Sequence, residues 1–400
     1  MNYSAMGHLR LLHVIHTVNP ESGGPIEAVL RISEVLTRRG HSVEVVSLDS
    51  PEEIARYPMP FPARGVGPGT LRYAYTPRLT SWLKANAGRF DVVILHGLWD
   101  YSAFGAWRAL RKSKVPYFIL AHGMMDPWFR NRRRLKHIAK QIYWLLGIGR
   151  VLRDAQAVLF TCEEERVRSR HSFWGYTYKK EVISFGTADP TGDPSSEKAA
   201  FESAVPALKG KPFLLFMGRI HPKKGCDLLL RAFAETIAST TRLDLVMAGP
   251  DQVGWVPELK NLAKKLNISD RVHWPGMLSG DVKWGALRSA DALILPSHQE
   301  NFGFVVAEAM ACSTPVLVSD KVNIWREIQS ANAGIVEPDD LEGTRRLITR
   351  FCTLSQDSRE QMGKAARSSF LRCFHVEAAA RDLLRVIGTT LRETPDARHS

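Results

Sequence analysis

Cysteine is scarce and scattered in this chain. Cys162, Cys226, Cys312, Cys352 and Cys373 are odd in number and never fall in a C-x-x-C spacing. That argues against a disulfide framework and a zinc site, and for a reducing, cytoplasmic compartment. Long apolar runs are also missing. None approaches the roughly 18 to 20 residues that a membrane span requires, and no apolar segment follows a basic patch within Met1–Arg10, so no secretory leader is expected. Neither a Walker A loop nor a G-x-G-x-x-G dinucleotide fingerprint is present. There is no internal repeat and no low-complexity tract. Acidic residues almost vanish between positions 101 and 150, where eleven basic residues face one acid, Asp126.

What is present fits a globular protein. The 400 residues are 44% apolar and 24% charged, enough for two domains of ordinary size. The net charge of +13 is uneven. Residues 1–190 carry 27 Lys and Arg against 16 Asp and Glu, whereas residues 191–400 carry 27 against 25. The excess therefore forms a patch on one half and favours an anionic partner. No nucleic-acid motif accompanies the charge, which argues against nucleic acid as that partner.

Strand and helix patterns alternate in both halves, as in parallel-sheet α/β domains. Leu9–Ile15 reads as a buried strand that feeds a loop with Gly23, Gly24 and Pro25, then a helix over Ile26–Arg38. The paired glycines suit either a close approach to a phosphate or a tight turn with Pro25 at the first helical position. Ser42–Leu48 is the next strand, and residues 51–76 read as a long irregular segment. Two further strands end in His96-Gly97 and His122-Gly123, which places two imidazoles at the C-terminal edge of one sheet. Each His either caps a strand end or serves a site. Arg130–Arg153 has a basic start in Arg130, Arg132, Arg133, Arg134, Lys136 and Lys140, with Leu135, Ile138, Ile142, Leu145 and Leu146 at helical spacing. Two readings stand: a core-facing helix with solvated cations, or a contact with anionic membrane or a lipid-linked acceptor. Ala155–Thr161 and Glu181–Phe185 complete the strands of this half.

The second half begins with the strand Phe213–Met217, running into Gly218-Arg219-Ile220-His221-Pro222-Lys223-Lys224-Gly225 and a helix from Cys226. Two fixed cations after a strand can stabilise negative charge that develops on a leaving group. The apolar run Ala292–Pro296 leads into Ser297-His298-Gln299-Glu300-Asn301-Phe302-Gly303 and a helix over Val305–Cys312. A strand, a polar turn with one glycine and a helix start form an anion site at a strand end. Glu300 and Glu308 flank that start. Two helical turns span about 7.2 residues, so the two carboxylates are expected on roughly one face.

Glu-x7-Glu with Phe-Gly after the first Glu, together with Gly-Arg and Lys-Gly four residues apart, resembles the retaining GT-B glycosyltransferases of family four. The resemblance covers most of the chain and is specific in residues 213–340. It implies two facing Rossmann-like parallel-sheet domains with a cleft between them and a C-terminal crossover helix. Residues 1–188 would be the acceptor domain, 189–211 a linker, 212–374 the donor domain, and 375–400 a crossover helix and polar tail packing back on the first domain. It also implies a metal-independent retaining hexosyltransferase that uses a nucleoside-diphosphate sugar, UDP- or GDP-linked, as substrate and needs no cofactor. Arg219 and Lys224 would hold the diphosphate, Glu300 the sugar hydroxyls, Glu308 the ribose and His122 the donor sugar. Gly23, Gly24, Gly218, Asn301, Phe302 and Gly303 would line the donor. The Pro-Asn-Gly turn usual in the family is Ser184-Phe185-Gly186-Thr187 here, so no site residue is carried onto it. The acceptor implied is a hydroxyl on a saccharide, lipid-linked or part of a growing cell-surface polysaccharide, at the inner face of the cytoplasmic membrane. The alternatives are another GT-B nucleotide-sugar enzyme, such as an epimerase or small-molecule glycosyltransferase, and a non-catalytic peripheral-membrane protein.

Overall fold

A computed structural model describes residues 7–71, 73–127, 134–240 and 243–393. The chain divides into two compact units. One comprises residues 1–186 and 376–400; the other is Thr187–His375.

The first unit is built on seven parallel strands: β1 (Arg10–Ile15), β2 (Ser42–Ser47), β3 (Ala63–Gly65), β4 (Val92–His96), β5 (Tyr117–Leu120), β6 (Ala157–Phe160) and β7 (Lys180–Val182), in the order β3-β2-β1-β4-β5-β6-β7. β1, β4, β5 and β6 are almost wholly buried, as expected of near-continuous apolar strands covered on both faces by helices. The strand order reverses between β1 and β4, the point in a doubly wound sheet where ligand sites form at the strand C-termini.

The second unit repeats the plan with six parallel strands: β8 (Phe213–Met217), β9 (Asp244–Ala248), β10 (Val272–Gly276), β11 (Ala292–Leu295), β12 (Val316–Ser319) and β13 (Gly334–Glu337), in the order β10-β9-β8-β11-β12-β13. Its reversal lies between β8 and β11. Both strand series thus follow the doubly wound scheme expected from the sequence. The helix Val376–Glu393 returns to the first unit, where Glu377 pairs with Arg38 at 3.0 Å and Arg39 at 2.5 Å, and Asp382 accepts from the Ser184 N–H at 2.9 Å.

Three expectations change. Residues 51–76 are not irregular throughout. Ser50 and Glu53 form a reciprocal capping box that starts the helix Pro51–Arg56, and β3 then pairs with β2. Residues 189–211 are not a plain linker. Asp193 caps the helix Pro194–Ala204, which buries Phe201 and Glu197 against the helix Gly280–Ser289, with Glu197 bonded to Arg288 at 2.5 Å. Pro194 and Pro206 occupy first-turn positions, where a missing N–H costs nothing, so here they start helical turns rather than mark a loop. Finally, the basic segment is a helix at Arg134–Tyr143, a π-helical turn at Trp144–Ile148 and a second helix at Gly149–Asp154. Arg130, Arg132 and Arg133, and residues 394–400 of the tail, lie outside the described residues.

Gly249 shows how closely the second sheet's loops approach one another. Its φ of +146° suits glycine, and a Cβ there would overlap the Gly218 carbonyl. Gly249→Ala is expected to destabilise the protein by about 1–3 kcal/mol, read as a lower urea midpoint at unchanged slope.

Candidate functional site

In the second unit, β8 and β11 deliver two loops to the C-terminal edge at the point where strand order reverses. The first loop carries Gly218, with φ +157°, then Arg219, and ends in the short 3-10 turn Pro222–Lys224, whose start is capped by His221 Nδ1 accepting from the Lys223 N–H at 3.1 Å. The second carries Ser297–Gly303. The His298 N–H donates to the Lys223 carbonyl at 2.8 Å. Gly225, at φ +65°, lies so close to the Pro296 carbonyl that no Cβ would fit. The Lys224 ammonium contacts the Glu300 carboxylate. Backbone and side chains therefore join the two loops into one unit.

Glu300 is fixed from its other side as well. Its N–H donates to the Lys321 carbonyl at 3.0 Å, its carbonyl accepts from the Asn323 N–H at 3.1 Å, and it bridges to Val322 in parallel. Asn301 Oδ1 accepts from the Asn323 amide at 3.3 Å. The Phe302 ring is buried against Phe304 and Phe374, so this residue meets the loop's open side through its backbone. Gly303, at φ +73°, is the N-cap of the helix Phe304–Ala311, and no side chain caps that start. Glu308 sits on this helix and pairs with Lys283 of Gly280–Ser289 at 2.6 Å.

The electrostatics are cationic. Arg219 is exposed and donates Nη1 to Gln252 Oε1 at 3.0 Å. Burial, and after it Arg219, draws the Lys224 ammonium below the usual lysine range, while the touching Glu300 carboxylate favours the charged form. Burial, then Arg219, Lys223 and Lys224, also lower His221. Among the described residues no group of three or more His, Cys, Asp or Glu could hold a metal ion.

The first unit gathers different groups at its own sheet edge. Gly23, with φ +88° and ψ −138°, precedes the helix Gly24–Arg38 and has no side-chain cap. Asn19 caps the preceding turn, and Asp49 holds the Val18 N–H at 2.7 Å. Beyond β5, His122 adopts φ +50°. The loops after β5 and β6 are tied by buried Glu165, which accepts from the Gly123 N–H at 2.6 Å and from the Thr161 N–H and hydroxyl at 2.7 Å each. His13 Nδ1, His96 Nε2, His96 Nδ1 and His122 Nε2 form a hydrogen-bonded series with spacings of 2.8 and 2.9 Å. Burial lowers His13 to about 4 and His122 to about 3. His96 falls well below its ordinary value through burial and then through its two neighbours.

A family model for glycosyl transferases group 1 matches residues 198–369, and one for a glycosyl transferase 4-like domain matches residues 23–183. The chain belongs to the group 1 glycosyltransferases. It is similar to the D-inositol 3-phosphate glycosyltransferase of Geodermatophilus obscurus, 26% identical over 378 residues, 86% of this chain and 81% of the relative. A protein of the same name from Kribbella flavida is 30% identical over 233 residues, 56% of this chain and 54% of that protein. Among solved structures, a glycosyltransferase from Rickettsia africae aligns with a TM-score of 0.76 at 16% identity, covering 97% of this chain and 100% of that one. Anabaena HepE in complex with UDP and glucose gives 0.73 at 15%, covering 96% and 100%. These likenesses identify the fold as GT-B.

Of the donor-side residues expected from sequence, Gly218, Arg219, Lys224, Glu300, Asn301, Phe302 and Gly303 cluster on the β8 and β11 loops, with Glu308 on the helix that follows, whereas Gly23, Gly24 and His122 lie at the first unit's sheet edge; nor is the pair of carboxylates placed as the helical spacing suggested. Glu300 lies before the helix, on a β-bridge, so it shares no helix face with Glu308; each carboxylate is held by a lysine from a different element. Gln252, Lys283 and Asn323 escaped notice because nothing local marks them; each reaches its partner from another loop or helix. His96 is buried between two rings, with both its ring nitrogens engaged by them. His13 was read only as part of a strand. Of the basic patch, Lys136 is exposed, whereas Lys140 lies 4.1 Å over the Trp99 ring and burial draws it down to about 8. Arg134 starts its helix, and its side chain is outside the described set.

The imidazole series has a pH consequence. Folded values below the ordinary 6.5 mean that, as pH falls through 6.5, the unfolded chain takes up protons that the folded chain refuses. Stability is therefore intact above about pH 7 and is lost on acidification until the folded values are reached, by up to about 1.4 kcal/mol per pH unit for each ring. Urea unfolding at pH 7.5 and pH 5 measures the loss, and His13→Phe is expected to make it shallower.

Proposed function

We propose that this group 1 glycosyltransferase moves a hexose from a UDP- or GDP-linked sugar to a hydroxyl acceptor with retention of anomeric configuration and without a metal ion. The observation that carries this reading is the Arg219–Lys224–Glu300 arrangement at the strand reversal of the second sheet. A nucleoside diphosphate gains negative charge as the glycosidic bond breaks. Arg219 and Lys224 are fixed cations for that charge, and the uncapped helix start after Gly303 adds backbone N–H groups. Glu300 then orients the sugar hydroxyls and Glu308 the ribose, while Gly218, Gly303 and the backbone of Asn301 and Phe302 let the donor approach. His122, Gly23 and Gly24 are proposed as further donor contacts. Retention follows if the acceptor hydroxyl attacks the face that the diphosphate leaves and the leaving phosphate takes its proton. The carboxylates do not act as a hydrolase pair, because a pair flanking one scissile bond stands at a defined separation, and here each serves a different part of the donor. The UDP held by Anabaena HepE favours a UDP-linked sugar for this chain as well.

Arg219→Ala or Lys224→Ala is expected to lower kcat by about 10²–10³-fold, the cost of removing one preorganised donor to developing charge. Diphosphate release with EDTA present reads this, and full transfer by either variant would remove the mechanism. A thermal-shift series with UDP, GDP, ADP and their sugars finds the base, since a ligand bound only by the folded state raises the melting temperature. Stabilisation only with divalent metal would contradict metal independence.

The acceptor is proposed to lie at a membrane, as part of a lipid-linked or growing cell-surface polysaccharide. The support is the helix Arg134–Tyr143 with its following turn. Leu135, Ile138, Ile142 and Leu146 are between 53% and 85% exposed, so the apolar stripe does not face the core. An exposed apolar stripe beside basic residues is the pattern of a helix lying in a bilayer interface. No described helix is long and apolar enough to cross a membrane. The inositol phosphate in the relatives' names supplies the competing acceptor, a small phosphorylated polyol. Sedimentation with anionic liposomes is expected and should weaken with salt and with Leu135→Gln/Ile138→Gln; equal binding to neutral vesicles in high salt would count against the reading.

A further inference from the structure

The three imidazoles of the first unit form a closed account of protons. His13 and His96 are buried, and His122 alone keeps part of its surface accessible. Each ring is neutral near pH 7 and so carries one ring N–H. Two of these three protons span the bonds His13 Nδ1···His96 Nε2 and His96 Nδ1···His122 Nε2. The third must sit at one end of the series, on His13 Nε2 or on His122 Nδ1. The two internal bonds point the same way in either case, so the three tautomers are linked. Moving the outer proton from one end to the other reverses every ring, with no proton gained or lost overall.

The ends are unlike. His13 Nε2 is buried without a hydrogen-bond partner. A proton there would be an orphaned N–H, which native interiors avoid more strictly than an unmet acceptor. At the His122 end, solvent or a ligand oxygen can take the bond. We propose that His13 and His96 are positioning residues that fix His122 as a neutral Nδ1–H donor, offered to an oxygen lone pair of the donor sugar. His122 then has no free lone pair: Nε2 accepts from His96 and Nδ1 holds its proton. It cannot serve as a general base toward the acceptor hydroxyl. The stacked arrangement of His96 and His122, 5.2 Å between centroids and 24° between planes, and the left-handed backbone at His122 keep the ring in line with the series. This inference rests on the reading of His122 as a sugar contact.

Nitrogen-15 spectra of the full chain labelled at histidine, with long-range correlation to the ring carbon protons, separate the two tautomers directly. His13, His96 and His122 are each expected as Nδ1–H at pH 7.5, assigned by single substitutions. His96→Phe keeps a ring but no hydrogen bonds. It should let His122 redistribute between tautomers and lower kcat by about tenfold, the scale on which supporting partners of a functional histidine act, with the KM for donor little changed. His96→Asn, which can accept from His13 and donate to His122, should restore both the Nδ1–H signal and most of kcat. An Nε2–H signal for His122 in the unaltered protein overturns the proposal, as does H96F with the tautomer and kcat both unchanged. If H96F does not fold, the unaltered spectrum alone decides. His122→Ala separates this inference from the reading beneath it: retained transfer removes the sugar contact, whereas the spectrum alone tests the tautomer.

Discussion

The second unit's site depends on one contact, the ammonium of Lys224 against the carboxylate of Glu300. β8 and β11 are neighbours, but their following loops turn opposite ways at the reversal of strand order. Without a tie the crevice would be a gap between two loops. The tie is costly by itself. Both groups are largely out of water, and desolvation of a pair can consume the Coulombic gain. It persists because the backbone has already closed the distance: the Lys223 carbonyl takes the His298 N–H, and Gly225 lets the chain lie against Pro296. A buried pair maintained this way is weak as a source of stability. Its value lies in holding a cation and a carboxylate in fixed positions before a ligand arrives.

The two units differ sharply in the charge they hold ready. In the second, Arg219, Lys223 and Lys224 share one loop, and after burial their charges lower His221. Cations held in place before an anion arrives need little reorganisation to meet it. In the first, burial holds three imidazoles below their ordinary range. Charge is concentrated at the second unit's sheet edge and withheld at the first's.

Much of this was legible in the sequence, and the reason is local. The strands of both sheets are short apolar runs bounded by turn residues, so their existence and order could be read without tertiary information. The loop residues Gly218, Arg219, Lys224, Glu300 and Gly303 follow such runs directly, and strand ends are where sites form. The failures are equally physical. Helical arithmetic was applied to Glu300 and Glu308 although the helix begins only at Phe304. Lys283 and Gln252 reach their partners from 25 and 33 positions away in the chain, and His13 reaches His96 from 83. No periodicity reports such distances. Residues 189–211 were expected as a linker, but Pro194 and Pro206 each open a helical turn there.

The basic helix shows what periodicity can and cannot decide. Spacing established that Leu135, Ile138, Ile142 and Leu146 share a face, but an amphipathic helix looks the same whether that face meets a core or something else. The fold makes the choice. Trp144, Gly147 and Ile148 in the π-helical turn fill the core, with Trp144 stacked on Phe173, and this leaves the four aliphatic residues on the outside. At about 100° per residue, Trp144, Gly147 and Ile148 lie on the opposite side of the helix from Leu135, Ile138, Ile142 and Leu146. The two sets are therefore the two faces of one segment, and the core contacts of Trp144 and Ile148 decide which face is left outside.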